Sequence, residues 1–316
     1  MTSPASDQAA LGALPEWNLA DLYPGMDSAE YSSDLARAAT DCAAFAEKWR
    51  GKLATAAGSP DASAQLFQAV QDYEAIEDRL GRIMSYAGLI YSGDTTDATR
   101  AKFYGDAQEK ITNASSDLLF FTLELNRIDD ALLEKALNTA PLSHYRPWIE
   151  DVRREKPYQL EDRIEQLFHE KSVTGRGAWN RLFDETIASL RFKVDGQELS
   201  LEPTLNLMQD KKQETRKAAS EALAATLKDN LRSFALITNT LSKDKEISDR
   251  WRGFQDIADS RHLSNRVERE VVDALVSAVQ DAHPRLSHRY YKLKAKWFGV
   301  EQLNHWDRNA PLPNVP

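Results

Sequence analysis

Six histidines, one cysteine and 49 acidic side chains are the groups from which this 316-residue chain could build a reactive centre. His169 followed by Glu170 opens the pattern H-E-x-x-H, in which two histidines one helical turn apart bind zinc and the glutamate acts as a base. The pattern fails at its second ligand, because position 173 is Val173, which offers a metal no lone pair. His283 and His288 are separated by Pro284, so the spacing does not place them on one helix face. His144, His262 and His305 stand apart from any such pattern. A nucleophilic cysteine needs an electropositive setting and a histidine base. Cys42 has Asp41 beside it and His144 as its nearest histidine in the chain, so it reads as a small buried hydrophobe. Gly175-Arg-Gly177 lacks the Lys-Ser/Thr of a phosphate loop and reads as a tight turn between helices. The carboxylates are numerous, and no pair is marked out for acid–base work. Tyr290-Tyr291 and Trp297-Phe298 could line a groove, though such clusters more often pack in a core. The chain is therefore assigned no catalytic residue and no metal ligand.

The elements that would position these groups are helical. Ser28 can cap a first helix that runs to about Trp49 and stops at Gly51. A second opens at Asp61 and ends at Gly93. Its apolar residues, Leu66, Val70, Tyr73, Ile76, Leu80, Ile83, Ala87 and Ile90, recur every three or four positions, which is one helix face. A third starts near Asp97 and reaches about Arg127, with Ile111, Leu118, Phe121 and Leu125 on its apolar side. The short turn 92–96 predicts a long antiparallel helical hairpin. Shorter helices follow at about 130–138 and 142–155. Leu190–Leu201 (LRFKVDGQELSL) alternates about Asp195-Gly196, a hairpin signal at about 191–201. Beyond it the pattern predicts one helix from Lys212 to near Ile247 and another at 254–261. A capping box of Asn265 with Glu268 would open a helix with Val267, Val271, Leu275, Val279 and Ala282 on its apolar face. A last helix spans about Leu286 to Phe298. The fold class is all-α with further helices around the long hairpin and one minor β-hairpin.

Composition limits what such a fold can do. Hydrophobic residues make up 42% and charged residues 28%, the balance of a soluble globular protein. The net charge of −9 opposes nucleic-acid binding, which needs a basic surplus. No run of 18 apolar residues suits a membrane span. One cysteine cannot form an intramolecular disulfide, and Met1–Gly25, an irregular arm punctuated by Pro4, Pro15 and Pro24, has no basic region followed by an apolar one. Both point to a reducing, cytoplasmic compartment.

Three segments in order resemble the oligoendopeptidase F family of zinc metallopeptidases. They are Leu14–Pro24 (LPEWNLADLYP); then Tyr158–Leu167 (YQLEDRIEQL), Thr174–Phe183 (TGRGAWNRLF) and the hairpin; then Leu263–Val267 (LSNRV), running on to His305–Leu312 (HWDRNAPL). Proteins of that family are longer, and their H-E-x-x-H helix and third, glutamate ligand lie downstream of a segment like Trp306–Pro311. The resemblance implies an N-terminal, non-catalytic portion: a helical domain over 1–190, then a hairpin and helices over 191–316 leading into a catalytic domain. It implies zinc and short peptide substrates for the complete enzyme, with no zinc bound by this chain. This portion would supply one wall of a deep groove that admits short, unstructured peptides. Trp306 and Asp307 are the candidates for groove-facing residues; the simpler alternative packs Trp306 on the preceding helix and leaves Asp307 as a cap or in solvent. The prolines of 305–316 suit an extended edge that leads onward. The competing function is a standalone helical peptide-binding or scaffold protein, and reading the coding frame past Pro316 distinguishes the two.

Overall fold

A computed structural model describes residues 17–313 of the chain. Leu14–Glu16 and Val315 therefore lie outside the described residues. The helices, in chain order, are α1 (Ala29–Trp49), α2 (Leu53–Ala57), α3 (Ala62–Gly93), α4 (Ala98–Ser115), α5 (Leu119–Arg127), α6 (Asp130–Leu137), α7 (Arg146–Arg154), α8 (Asp162–Lys171) and α9 (Arg176–Ser189). After strands β1 (Phe192–Val194) and β2 (Gln197–Leu199) come α10 (Leu201–Leu207), α11 (Gln213–Asp229), α12 (Leu231–Arg252), α13 (Asp259–Ser264), α14 (Arg269–Ala282) and α15 (Ser287–Trp297). The all-α class with one minor hairpin holds. None of these helices is long and apolar enough to cross a membrane.

The chain divides into two compact units, one from the described part of Met1–Trp49 with Gln68–Leu118, the other from Arg50–Phe67 with Leu119–Pro316. The division expected after residue 190 falls inside the second.

In the first unit, Ser28 Oγ accepts from the Tyr31 amide at 3.2 Å and starts α1. Asp97 accepts from the Thr99 and Arg100 amides and starts α4. These bonds satisfy amides that have no partner inside their own helix. α3 and α4 form the expected antiparallel hairpin. Tyr91 stacks on Tyr104 with ring centroids 4.9 Å apart, and the edge of Tyr86 meets Phe103 at 6.0 Å. The arm joins this core through Tyr23, whose ring meets Tyr31 and Tyr86 and whose hydroxyl donates to Asp34 at 2.8 Å. α1 packs on α4.

In the second unit, α5 packs against α2, α7 and α8, and α9 against α12. The β-hairpin pairs Phe192 with Leu199 and Val194 with Gln197. Asp195 and Gly196 both take positive φ, 49° and 83°, as a two-residue hairpin turn requires. Phe192 and Val194 bury against Ala222 and Leu223 of α11, which gives the two strands the support they lack alone.

Three expectations fail locally, the first two through a polar side chain. The third helix stops at Ser115 and resumes at Leu119, because the hydroxyls of Ser115 and Ser116 both donate to the Thr112 carbonyl and compete with the backbone ladder. The helix expected over 212–247 is two, broken at Asn230, whose side-chain amide donates to the Thr226 carbonyl at 2.9 Å. Asn265 does not open α14. It caps the C-terminus of α13 with its amide on the Arg261 carbonyl, Arg266 follows at φ 54°, and the N-cap of α14 is Glu268 with no side-chain bond.

Candidate functional site

The segment singled out by sequence, Trp306 and Asp307, forms a short 3₁₀ turn at His305–Asp307. Asn304 and Asp307 make a reciprocal capping box, with the Asn304 amide donating to Asp307 Oδ2 at 3.2 Å. The other carboxylate oxygen accepts from Arg216 Nη2 at 2.6 Å. Asp307 is 2% exposed and Arg216 1%. Asp307 therefore points inward, to a buried ion pair, and is also the cap that the sequence allowed as the simpler alternative. Trp306 is half-buried, with Lys217 Nζ over its ring at 5.8 Å. Its indole nitrogen has no hydrogen-bond partner among the described residues.

Around the pair, three elements converge. Arg216 lies on α11, where its Nη1 donates to the Asp210 and Lys211 carbonyls at 2.8 and 3.0 Å. Lys294 lies on α15, 2% exposed, and donates to the Arg308 carbonyl at 2.8 Å. Ser220 Oγ and His305 Nε2 share a hydrogen bond of 2.7 Å. Residues 305–308 are thus tied down rather than running off as a loose edge. Burial pulls the Asp307 carboxyl up, but its bonds from Arg216 and Asn304 outweigh that and hold it below the usual carboxylate range. Burial and the neighbouring Arg216 push the Lys294 ammonium down, against the pull of Asp307.

Sequence reasoning missed Arg216 and Lys294. One signal was available: Arg216 begins a face continued by Ala219, Ser220 and Leu223, all buried, and a charge on such a face needs a partner. Nothing local says that the partner stands 91 residues on.

The other candidates resolve plainly. Cys42 is fully buried, and burial pushes its thiol up to about 12. Gly175 is a tight turn, since a Cβ there would meet the Lys171 carbonyl at 2.9 Å. His283 and His288 do come together, with ring centroids 6.0 Å apart, because the His288 amide bonds the His283 carbonyl across a wide turn. No third donor joins them: among the described residues no group of three His, Cys, Asp or Glu could hold a metal ion. The apolar face expected of α14 faces solvent, with Val271, Leu275 and Val279 exposed. On α15 Tyr290, Tyr291 and Trp297 are also exposed, a surface rather than the core their type favours.

Comparison with known proteins agrees with this architecture. Residues 124–192 match the family model described as Oligopeptidase F, and residues 206–310 match that of Peptidase family M3. Oligopeptidase PepF of Bacillus subtilis is 25% identical over 315 residues, covering 97% of this chain and 45% of its own length. Group B oligopeptidase PepB of Streptococcus agalactiae is 26% identical over 262 residues, covering 81% of this chain and 43% of its own. The crystal structure of oligoendopeptidase-F from Enterococcus faecium superposes with a TM-score of 0.78 over 89% of this chain and 56% of that one; at 21% identity this speaks for the fold alone. The chain spans about half the length of the curated relatives it matches.

Proposed function

The chain belongs to the oligoendopeptidase F family, and on that premise we propose that it is the N-terminal part of a cytoplasmic, zinc-dependent oligoendopeptidase that hydrolyses short peptides. In this reading its residues supply groove wall and substrate-size restriction rather than chemistry. The observation that carries the reading is coverage: nearly the whole chain aligns with a relative of which it spans 45%. The zinc that the family implies has no fitting donor set among the described residues.

What this chain's residues do is steric and positional. A narrow groove excludes folded proteins by shape, and a wall works only if it is stiff. The Arg216–Asp307 pair, with Lys294 on the Arg308 carbonyl, fixes residues 305–308 against α11 and α15. Trp306, half-exposed above that anchor, is the groove-facing residue of the proposal; Asp307 serves beneath it. The exposed apolar side chains of α14 and α15 are the surface the catalytic half would cover.

The test uses quenched-fluorescence peptides of graded length. The purified 316-residue chain should give no chelator-sensitive cleavage. The same chain fused to a relative's zinc-bearing half should cleave short peptides and spare folded proteins. Chelator-sensitive cleavage by the 316-residue chain alone would overturn the division of labour.

A further inference from the structure

A cavity of about 340 Å³ lies wholly within the second unit. Its size is at the lower end for small-molecule sites, which run from about 300 to 1,000 Å³. One wall is a face of α5, where Leu119, Thr122, Leu123 and Asn126 follow helical spacing. The opposite wall carries Leu263 of α13 and the flat stack of Tyr158 on Phe254, with centroids 4.1 Å apart and planes 15° from parallel.

The polar groups of the cavity are unequally satisfied. Arg252 forks onto both oxygens of Glu165 at 2.7 Å, so that pair is electrically closed. Two acceptors are left over. Asn126 is 2% exposed, and its Oδ1 has no hydrogen-bond partner among the described residues. Gln159 Oε1 is buried in the same condition, and its orientation is set because Nε2 donates to the Leu123 carbonyl at 3.2 Å. A buried acceptor left unmade costs free energy, so both call for a donor from outside the protein. Glu155 stands at the exposed rim and is the cavity's one unbalanced charge.

We propose that this cavity binds a primary ammonium group carried on a small apolar or aromatic body. An ammonium has three donors and no acceptor, which matches two amide oxygens and a carboxylate. The body would lie along Leu119, Leu123 and Leu263 and against the Phe254 and Tyr158 rings. The site does not depend on the peptidase reading, and its test reads binding alone.

Calorimetry on the 316-residue chain would use phenethylamine, N-acetylphenethylamine and 3-phenylpropionate. Phenethylamine should bind saturably, and the neutral and anionic analogues should bind about tenfold more weakly or not at all, since they lose charge-assisted bonds. Glu155→Gln, at the exposed rim, should weaken phenethylamine about tenfold with no change in melting temperature. Asn126→Leu removes the orphan acceptor and should abolish binding while leaving the melt unchanged or higher. The dipeptide amide Phe-Gly-NH₂ identifies the carrier: affinity equal to phenethylamine marks a peptide N-terminus, and much weaker binding marks a free amine, both with the ammonium site intact. Equal binding of the N-acetyl analogue, no saturable binding at millimolar phenethylamine, or indifference to Glu155→Gln would overturn the proposal.

Discussion

Asp307→Asn isolates the charge at the centre of the convergent elements. The side chain keeps its shape, and Arg216 and Lys294, 1% and 2% exposed, are left as two buried cations without a counter-ion. Breaking a buried pair in this way costs about 3–5 kcal/mol. That is a large share of a total stability of about 5–15 kcal/mol. At roughly 2–4 °C per kcal/mol for a unit of this size, the melting temperature should fall by roughly 6–20 °C. The loss should also carry a pH signature. The folded-state pKa of Asp307 is depressed, so its contribution is complete above the unfolded value of about 3.9 and is lost as pH falls through the lower folded value. Urea melts of parent and variant should therefore differ fully at pH 7 and converge in acid below about pH 4. Replacing both partners, Arg216→Met with Asp307→Leu, should recover part of the loss, because Lys294 is then the one buried charge of the three left without a counter-ion. A single variant that melts within about 1 °C of the parent at pH 7, against the several degrees expected from the pair, would refute the reasoning. So would a double variant as unstable as the single one.

Other perturbations test other parts of the chain. Ile83→Asp places a charge at a fully buried position of α3; it should cost about 3–5 kcal/mol and abolish the near-ultraviolet dichroism of the Tyr23–Tyr31–Tyr86 cluster. Gly196→Ala meets no atom within 4 Å but must hold φ +83°, so it should cost about 1–2 kcal/mol in a thermal melt through backbone strain alone. Cys42, its thiol pushed up to about 12 by burial, should resist iodoacetamide at pH 8 and react promptly once urea opens its unit.

Legibility in the sequence followed the range of the interaction. The face of α3 was readable because it is periodic: Leu66, Val70, Ile76, Leu80, Ile83 and Ala87 are all buried where the spacing put them. The hairpin was readable because Asp195-Gly196 supplies two positive-φ residues in a row. The breaks at 116–118 and Asn230 were hidden because periodicity counts apolar residues and overlooks hydroxyls and amides that bond back to the ladder. The capping box at Asn304–Asp307 is equally local, and Asp307 was readable as a cap, but its pairing with Asn304 was not. The pairs Arg216–Asp307 and Glu165–Arg252 join residues 91 and 87 positions apart, and spacing alone cannot reveal them. On α14 the pattern located the apolar face correctly but could not tell that it meets solvent rather than a neighbour.

The long reach of the Arg216–Asp307 pair also sets a clock during synthesis. Ribosomes add about 5–20 residues per second, so a chain that has just received Arg216 waits roughly 5–20 s for the aspartate that neutralises it. Through that interval α11 carries an ionised side chain on the same face as Ala219 and Leu223, and that face cannot close without trapping it. The first unit meets no such delay, because all of its residues have been made once Leu118 is added. Nascent chains halted between positions 216 and 307 should therefore hold a finished hairpin of helices and a half-assembled second unit whose completion waits on a single codon.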